Sequence, residues 1–200
     1  QGNFDKFFVL QAINELRHIV SSPELDNNKI ISSKKEVLIE NVIEAIENNH
    51  KVLIFVNYLS SIESICNSLK ENKIKFLKMT GQTKDRQSLV DKFQSDSRYK
   101  VFVMTLKTGG VGLNLVSADT IFIYDPWWNK TVENQAIDRA YRLGQDKTVF
   151  AYKMIMRNTI EEKILKLQEI KDKLLDNLIS EDNLSTKNLS KNDIEFILGN

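Results

Sequence analysis

Apolar positions along the chain change period several times, and these changes lay out its elements. Phe4, Phe7, Phe8, Val9, Leu10, Ile13 and Leu16 follow helical spacing and predict an opening helix. The polar run from Ser21-Ser22-Pro23 to Asp26-Asn27-Asn28 breaks it, because proline and Asx side chains favour turns. Ser32 or Ser33 then caps a helix carrying Leu38, Ile39, Val42, Ile43 and Ile46, which ends near Asn48-Asn49. From there strand and helix alternate. Strands are predicted over 52–56, 74–79, 101–105, 120–124 and 149–155, and helices around Ile62, Ile65 and Leu69, over 85–93 and over 133–143. Strand, helix, strand in succession implies right-handed crossovers, so the expected class is α/β with a mostly parallel sheet covered on both faces.

After the last strand, Thr159 caps a long helix with Ile160, Ile164, Leu167, Leu174 and Leu178 on one side. Such a stripe needs a surface to lie against. The segment 180–190 is polar and reads as a connection, and 192–198 as a last short helix. The resulting division is a lead-in helix and linker over 1–30, a main lobe over 31–158, a C-terminal helix over 159–180 and a polar tail over 181–200. The chain opens on Gln1 rather than Met, which predicts a piece of something longer.

Two hundred residues with 42% apolar and 28% charged side chains support a real core and exclude the disordered and low-complexity classes. The formal charge of +1 gives no whole-molecule field toward a polyanion, so nucleic-acid binding requires a local surface. One cysteine, Cys66, and two histidines, His18 and His50, exclude a disulfide framework and a four-ligand Cys/His zinc site. Both histidines read as surface or helix-end residues, and neither is a catalytic candidate. No apolar run approaches the ~20 residues of a membrane span, and the expected setting is intracellular and without a membrane.

None of the seven glycines is followed by Lys, and no Asp is followed by Glu. The chain therefore lacks a phosphate loop of the Gly-Lys-Ser/Thr kind and the paired acids that hold magnesium in many nucleotide hydrolases. Three glycines do fall in one loop, Thr105-Leu106-Lys107-Thr108-Gly109-Gly110-Val111-Gly112-Leu113-Asn114-Leu115, directly after a buried strand. In an open parallel sheet that is where ligands bind, and glycines let backbone N–H groups approach a phosphate. A tight turn explains the same residues.

The second constellation is Gln135-Ala136-Ile137-Asp138-Arg139-Ala140-Tyr141-Arg142-Leu143-Gly144-Gln145. On a helix Gln135, Arg139 and Arg142 share a face, with Ala136, Ala140 and Leu143 as the apolar stripe beside it. Two readings stand: an exposed Asp138–Arg142 ion pair, or a guanidinium clamp on a transferring phosphoryl group. Between the two motifs, Tyr124-Asp125-Pro126-Trp127-Trp128-Asn129-Lys130 places both tryptophans side by side at a strand end. Neighbouring residues are expected not to face the same core: if one packs inside, the other is a surface aromatic able to meet a nucleotide, a DNA backbone or another domain, and packing and contact stand as equal readings.

Taken in order, Lys51-Val52-Leu53-Ile54-Phe55, Met79-Thr80-Gly81, Thr108 to Leu115, Asp125 to Asn129 and Gln135 to Gln145 resemble the second motor lobe of the Swi/Snf family of ATP-dependent DNA translocases, within helicase superfamily two. The likeness extends to Leu16-Arg17-His18-Ile19 with Pro23 before the lobe and to Thr159-Ile160-Glu161-Glu162-Lys163-Ile164 after it. The resemblance implies a RecA-like lobe in three layers. It implies ATP in a cleft against a first lobe of the same polypeptide, which is absent here and which holds the Mg2+. By the same resemblance Arg139, Arg142 and Gln135 are the finger motif, and Gly110 and Gly112 the nucleotide approach. Thr105, Lys107, Thr108, Asn57, Gly81, Trp128 and Asn129 face duplex DNA, and the last long helix is the C-terminal brace.

A DNA-bound protein or an RNA polymerase is a further partner that the resemblance allows. This chain has Val56-Asn57 where the family commonly has Ser-Gln, and Lys130 where it usually has Pro. Tyr141 in place of the His of eukaryotic members resembles the bacterial variety, hence an expected cytoplasmic, nucleoid-associated protein. Two rivals remain at this level: a non-catalytic module that binds DNA or protein, and a lobe of an RNA helicase.

Overall fold

A computed structural model describes residues 6–25, 30, 32–109, 112–142, 144–177, 192 and 196. Its strands are β1 (Val52–Val56), β2 (Phe76–Met79), β3 (Val101–Thr105), β4 (Thr120–Ile123) and β5 (Phe150–Lys153). Its helices are α1 (Lys6–Ser21), α2 (Ser33–Glu47), α3 (Leu59–Glu71), α4 (Arg86–Ser95), α5 (Leu106–Gly109), α6 (Lys130–Ile137) and α7 (Ile160–Asn177). The strands form one sheet in the order β2-β3-β1-β4-β5, and every pairing is parallel. Thus the expected α/β class holds, and the sheet is parallel throughout the described residues.

Alternation along each strand builds the layers. Leu53, Phe55, Leu77, Met79, Phe102, Met104, Ile121 and Ile123 point to one face, where Val90 and Phe93 of α4, Leu106 of α5 and Ala136 of α6 cover them. Val52, Ile54, Val56, Val101, Val103 and Phe122 point to the other, under α2 and α3. Both faces are buried, which is why these strands read as continuous apolar runs. On the edge, β5 has one neighbour and is exposed from Phe150 to Tyr152, with Lys153 half-buried.

Local chemistry sets several element ends. Ser32 caps α2 by accepting the Lys35 N–H at 3.3 Å, and Asp85 caps α4 by accepting the Ser88 N–H at 3.1 Å. Thr159 Oγ1 accepts the Glu161 N–H at 3.2 Å at the start of α7. The expected short helix over 192–198 and the polar run 180–190 lie outside the described residues, apart from Asn192 and Phe196. Burial pushes the Cys66 thiol up to about 11, so it stays neutral and packs as a small apolar group.

At the amino edge of the sheet, Asp119 is buried and receives Lys147 Nζ at 2.9 Å and His50 Nδ1 at 3.1 Å. Burial pushes this carboxyl up, but the hydrogen bonds and charges of Lys147 and His50 outweigh it and hold it below the ordinary aspartate range. A depressed carboxyl stabilises the fold fully above its unfolded pKa, about 3.9, and loses that contribution as pH falls through the folded value. Asp119→Asn should therefore lower the melting temperature at pH 7 and converge on the wild type toward pH 3. A deficit that is equal at both pH values in thermal melts would contradict this.

Candidate site at the carboxyl edge of the sheet

Strands β1 and β4 are neighbours, yet α3 leaves β1 toward one face while α6, after β4, lies on the other. A crevice opens past the ends of such a pair, the usual ligand position of an open α/β sheet. Here the chain's own residues occupy it. Asp125 is buried just beyond β4: its Oδ2 accepts the Asn57 N–H at 2.8 Å, its Oδ1 accepts Ser21 Oγ, and its carbonyl accepts Asn57 Nδ2 at 2.6 Å. Arg17 of α1, only 2% exposed, lies over Tyr58, Trp127 and Trp128 at 5.6, 4.8 and 4.9 Å from their ring centroids. Burial pushes the Tyr58 hydroxyl up to about 12, so it remains a neutral donor to Asn14 Oδ1.

Beside this filled crevice lies the segment after β3. Thr105 Oγ1 accepts the Thr108 N–H at 3.2 Å and lies 2.6 Å from Thr108 Oγ1, which winds the short α5. Thr108 is buried by that exchange, whereas Lys107 between them is exposed. Gly109 is a packing glycine: a Cβ there would fall 2.3 Å from Phe55 Cε1. Gly112 is exposed with φ +55, and nothing lies within 4 Å of where its Cβ would be. That leaves room for a ligand against the backbone. Gly110 lies outside the described residues, and Gly81 is exposed with open space around it.

Two expectations are corrected. The predicted helix over 133–143 begins earlier, at Lys130, and ends at Ile137, so Gln135 is on the helix but Arg139 and Arg142 lie in the turns that follow. The last turn tightens, with Arg139 N–H donating to Ala136 O at 3.3 Å and Ala140 N–H to Ile137 O at 3.0 Å, and the carbonyls beyond it bond elsewhere: Leu115 N–H donates to Arg139 O at 2.9 Å, and Gln145 Nε2 donates to Ala140 O at 3.3 Å as well as to Val116 O and Ala118 O. Gly144, with φ +97, then reverses the chain. The shared helical face of Gln135, Arg139 and Arg142 is therefore absent, although all three follow one another on the segment bound to the glycine-rich loop.

The tryptophans do not diverge. Trp127 and Trp128 stack on each other with centroids 4.1 Å apart, both half-buried, because Pro126 and the Trp127 N–H bond to Glu133 bend the chain outside any regular element. Trp128 is half-buried and packs with Ile13, Ile160, Ile164 and Leu167 between α1 and α7. Asn57 turns its amide onto the Asp125 carbonyl at 2.6 Å. Asn129 is the N-cap of α6, its Oδ1 accepting the Thr131 N–H at 3.0 Å, and keeps its amide donors.

Sequence reasoning missed Glu133, fully buried on α6, with Gln168 of α7 and Lys153 of β5 around it. A glutamate in the first turn of a helix reads as a dipole partner, and only its distant partners reveal the burial. Among the described residues no group of three or more His, Cys, Asp or Glu could hold a metal ion, and no helix is long and apolar enough to cross a membrane.

The helicase conserved C-terminal domain family matches residues 33–144. An uncharacterized ATP-dependent helicase of Mycoplasma pneumoniae is 39% identical over 179 residues, covering 88% of this chain and 17% of that protein. The SWI2/SNF2 ATPase core domain of Sulfolobus solfataricus superposes with a TM-score of 0.75 at 29% identity, over 98% of this chain and 42% of that one. The C-terminal part of the Fun30 ATPase domain gives 0.68 at 30% identity, over 82% and 51%. The chain spans less than a fifth of its Mycoplasma relative, and by its match over residues 33–144 and its likeness to solved ATPase cores it belongs to the helicase C-terminal domains of the SWI2/SNF2 family.

Proposed function

We propose that this domain is the second motor lobe of an ATP-dependent duplex-DNA translocase, supplying arginine fingers and DNA contacts to an ATP site shared with a first lobe of the same polypeptide. The observation that carries the reading is the bond from Leu115 N–H to Arg139 O at 2.9 Å. It joins the Thr108–Leu115 loop to the segment bearing Gln135, Arg139 and Arg142, so the parts suited to phosphate and the parts suited to DNA move as one piece. Gly112 offers open backbone and the two arginines offer permanent charge, a donor set that fits a triphosphate. On this reading the Mg2+ belongs to the first lobe.

On this reading Lys107, Thr105, Gly81 and Asn129 meet the DNA backbone, and Thr108 supports them from beneath. Lys84, Arg86 and Lys130 extend the strip. ATP must bind the closed arrangement of lobes better than the open one for hydrolysis to drive motion, and Arg139 and Arg142 supply the difference. A DNA-bound protein, such as a polymerase, is the cargo such a motor displaces, in the bacterial nucleoid that the Tyr141 signature suits. In the intact polypeptide, ATPase activity should rise with duplex DNA and much less with single strands or RNA. Stimulation by RNA alone would transfer the domain to the RNA helicases, and no activity in any condition would favour the non-catalytic module.

A further inference from the structure

Two consecutive carbonyls just past β4 are held by side chains from opposite ends of the chain. From one side Arg17 of α1 donates through Nη2 to Pro126 O at 2.7 Å while its guanidinium covers both tryptophan rings. From the other, Gln168 of α7 donates through Nε2 to Trp127 O. Gln168 also closes a ring of contacts. Trp127 N–H donates to Glu133 Oε1 at 2.7 Å, Glu133 Oε2 lies 2.5 Å from Lys153 Nζ, and Lys153 Nζ donates to Gln168 Oε1 at 3.0 Å. Four separate elements meet in that ring: the loop after β4, α6, β5 and α7.

Arg17, Glu133 and Gln168 are at most 2% exposed. Displacing a buried polar network of this kind leaves further charged or amide groups desolvated and unpaired, beside Arg17 Nη1, which is already buried without a hydrogen-bond partner. The segment it holds ends in Asn129, the cap of α6. The start of α6 is thus located by α1 and α7, while its far end is located by Leu115 and Gln145.

We infer that Arg17 and Gln168 are positioning residues that clamp Pro126 and Trp127 from two sides, so that DNA stimulates the motor only when α1 and α7 are both docked. The inference rests on the motor reading above and adds how the two flanking helices act on its site. Neither side chain reaches the DNA or the nucleotide; each works through the backbone that launches α6.

Gln168→Met keeps the length and packing of the side chain and removes its donor. In the intact polypeptide it should lower the duplex-stimulated kcat about tenfold, while the DNA-free rate and the KM for ATP stay within about twofold. Hydrogen exchange should show the amides of 131–137 losing protection about tenfold, with β1 and β3 unchanged. Arg17→Met should behave alike, and Arg17→Lys, which keeps the cation over the rings, should recover part of the stimulation. If the wild type shows no stimulation by DNA, the motor reading falls and hydrogen exchange alone decides the clamp. Full stimulation in Gln168→Met with unaltered exchange would overturn the clamp. So would equal losses in the DNA-free and stimulated rates, or protection lost throughout the sheet, since either marks a merely structural role.

Discussion

Arg139→Ala, made in a polypeptide carrying both lobes, is expected to lower the ATPase kcat by roughly 10^3-fold, the scale of arginine fingers in phosphoryl transfer. Arg139 suits that role because its own carbonyl is fixed by Leu115 and its turn by Gln145 and Gly144, so little ordering is left for the moment of lobe closure. Its loss should fall mainly on kcat, with binding of ATP to the phosphate loop of the first lobe changed far less. Arg139→Lys keeps the charge and loses the planar fork, so it should restore only part of the rate. Steady-state kinetics with saturating duplex DNA decide the matter: a rate equal to wild type would remove Arg139 from the machinery and leave Arg142 to carry it alone.

The largest expected loss of stability comes from Lys34→Met. Lys34 of α2 and Glu161 in the first turn of α7 form an ion pair of 2.5 Å with both side chains 2% exposed, and the Lys34 ammonium sits 4.7 Å from the centroid of Tyr124. Removing one member of a buried pair leaves the other charge desolvated, which costs about 3–5 kcal/mol. Burial already pushes the Glu161 carboxyl up against the pull of Lys34 and of the Met156 N–H. Without Lys34 that push is unopposed by an ammonium. A raised carboxyl pKa means that the folded state holds the proton longer, so stability falls as pH rises from the unfolded value, about 4.3, through the folded one. The deficit of Lys34→Met should accordingly be larger at pH 7.5 than at pH 5 in urea unfolding. The pair Lys34→Met with Glu161→Gln should recover at least half of it, since the carboxamide still accepts from Met156. A deficit independent of pH would show that Glu161 is not the group left exposed to the cost.

The sheet was legible for a physical reason. Strands buried on both faces must be apolar at every position, and 52–56, 101–105 and 120–123 advertise this by composition alone. Helices with one buried face show their period, and Ser32, Asp85 and Thr159 announce their starts. The end of α6 was not legible, because Ala140, Tyr141 and Arg142 carry ordinary helical propensity, while the carbonyl of Arg139 is bound by Leu115 from another part of the chain and that of Ala140 by the Gln145 side chain. The same holds for the tryptophans. Divergence of neighbours is a rule of regular elements, and Trp127 and Trp128 stand in a bend made by Glu133 and sealed by Arg17.

By itself, then, the sequence determined the class of fold, the family and the order of the motifs, since each of these depends on residue types at short spacing. Only the tertiary structure decided where the motif residues lie. It turns Asn57 inward, packs Trp128 between α1 and α7, and leaves Lys107 and Gly112 on the surface. It also revealed that Arg17 and Gln168, 151 positions apart in number, hold adjacent carbonyls. Such buried polar contacts depend on partners distant in the chain, and a charged residue that will be paired inside the fold carries the same local signature as one left in water.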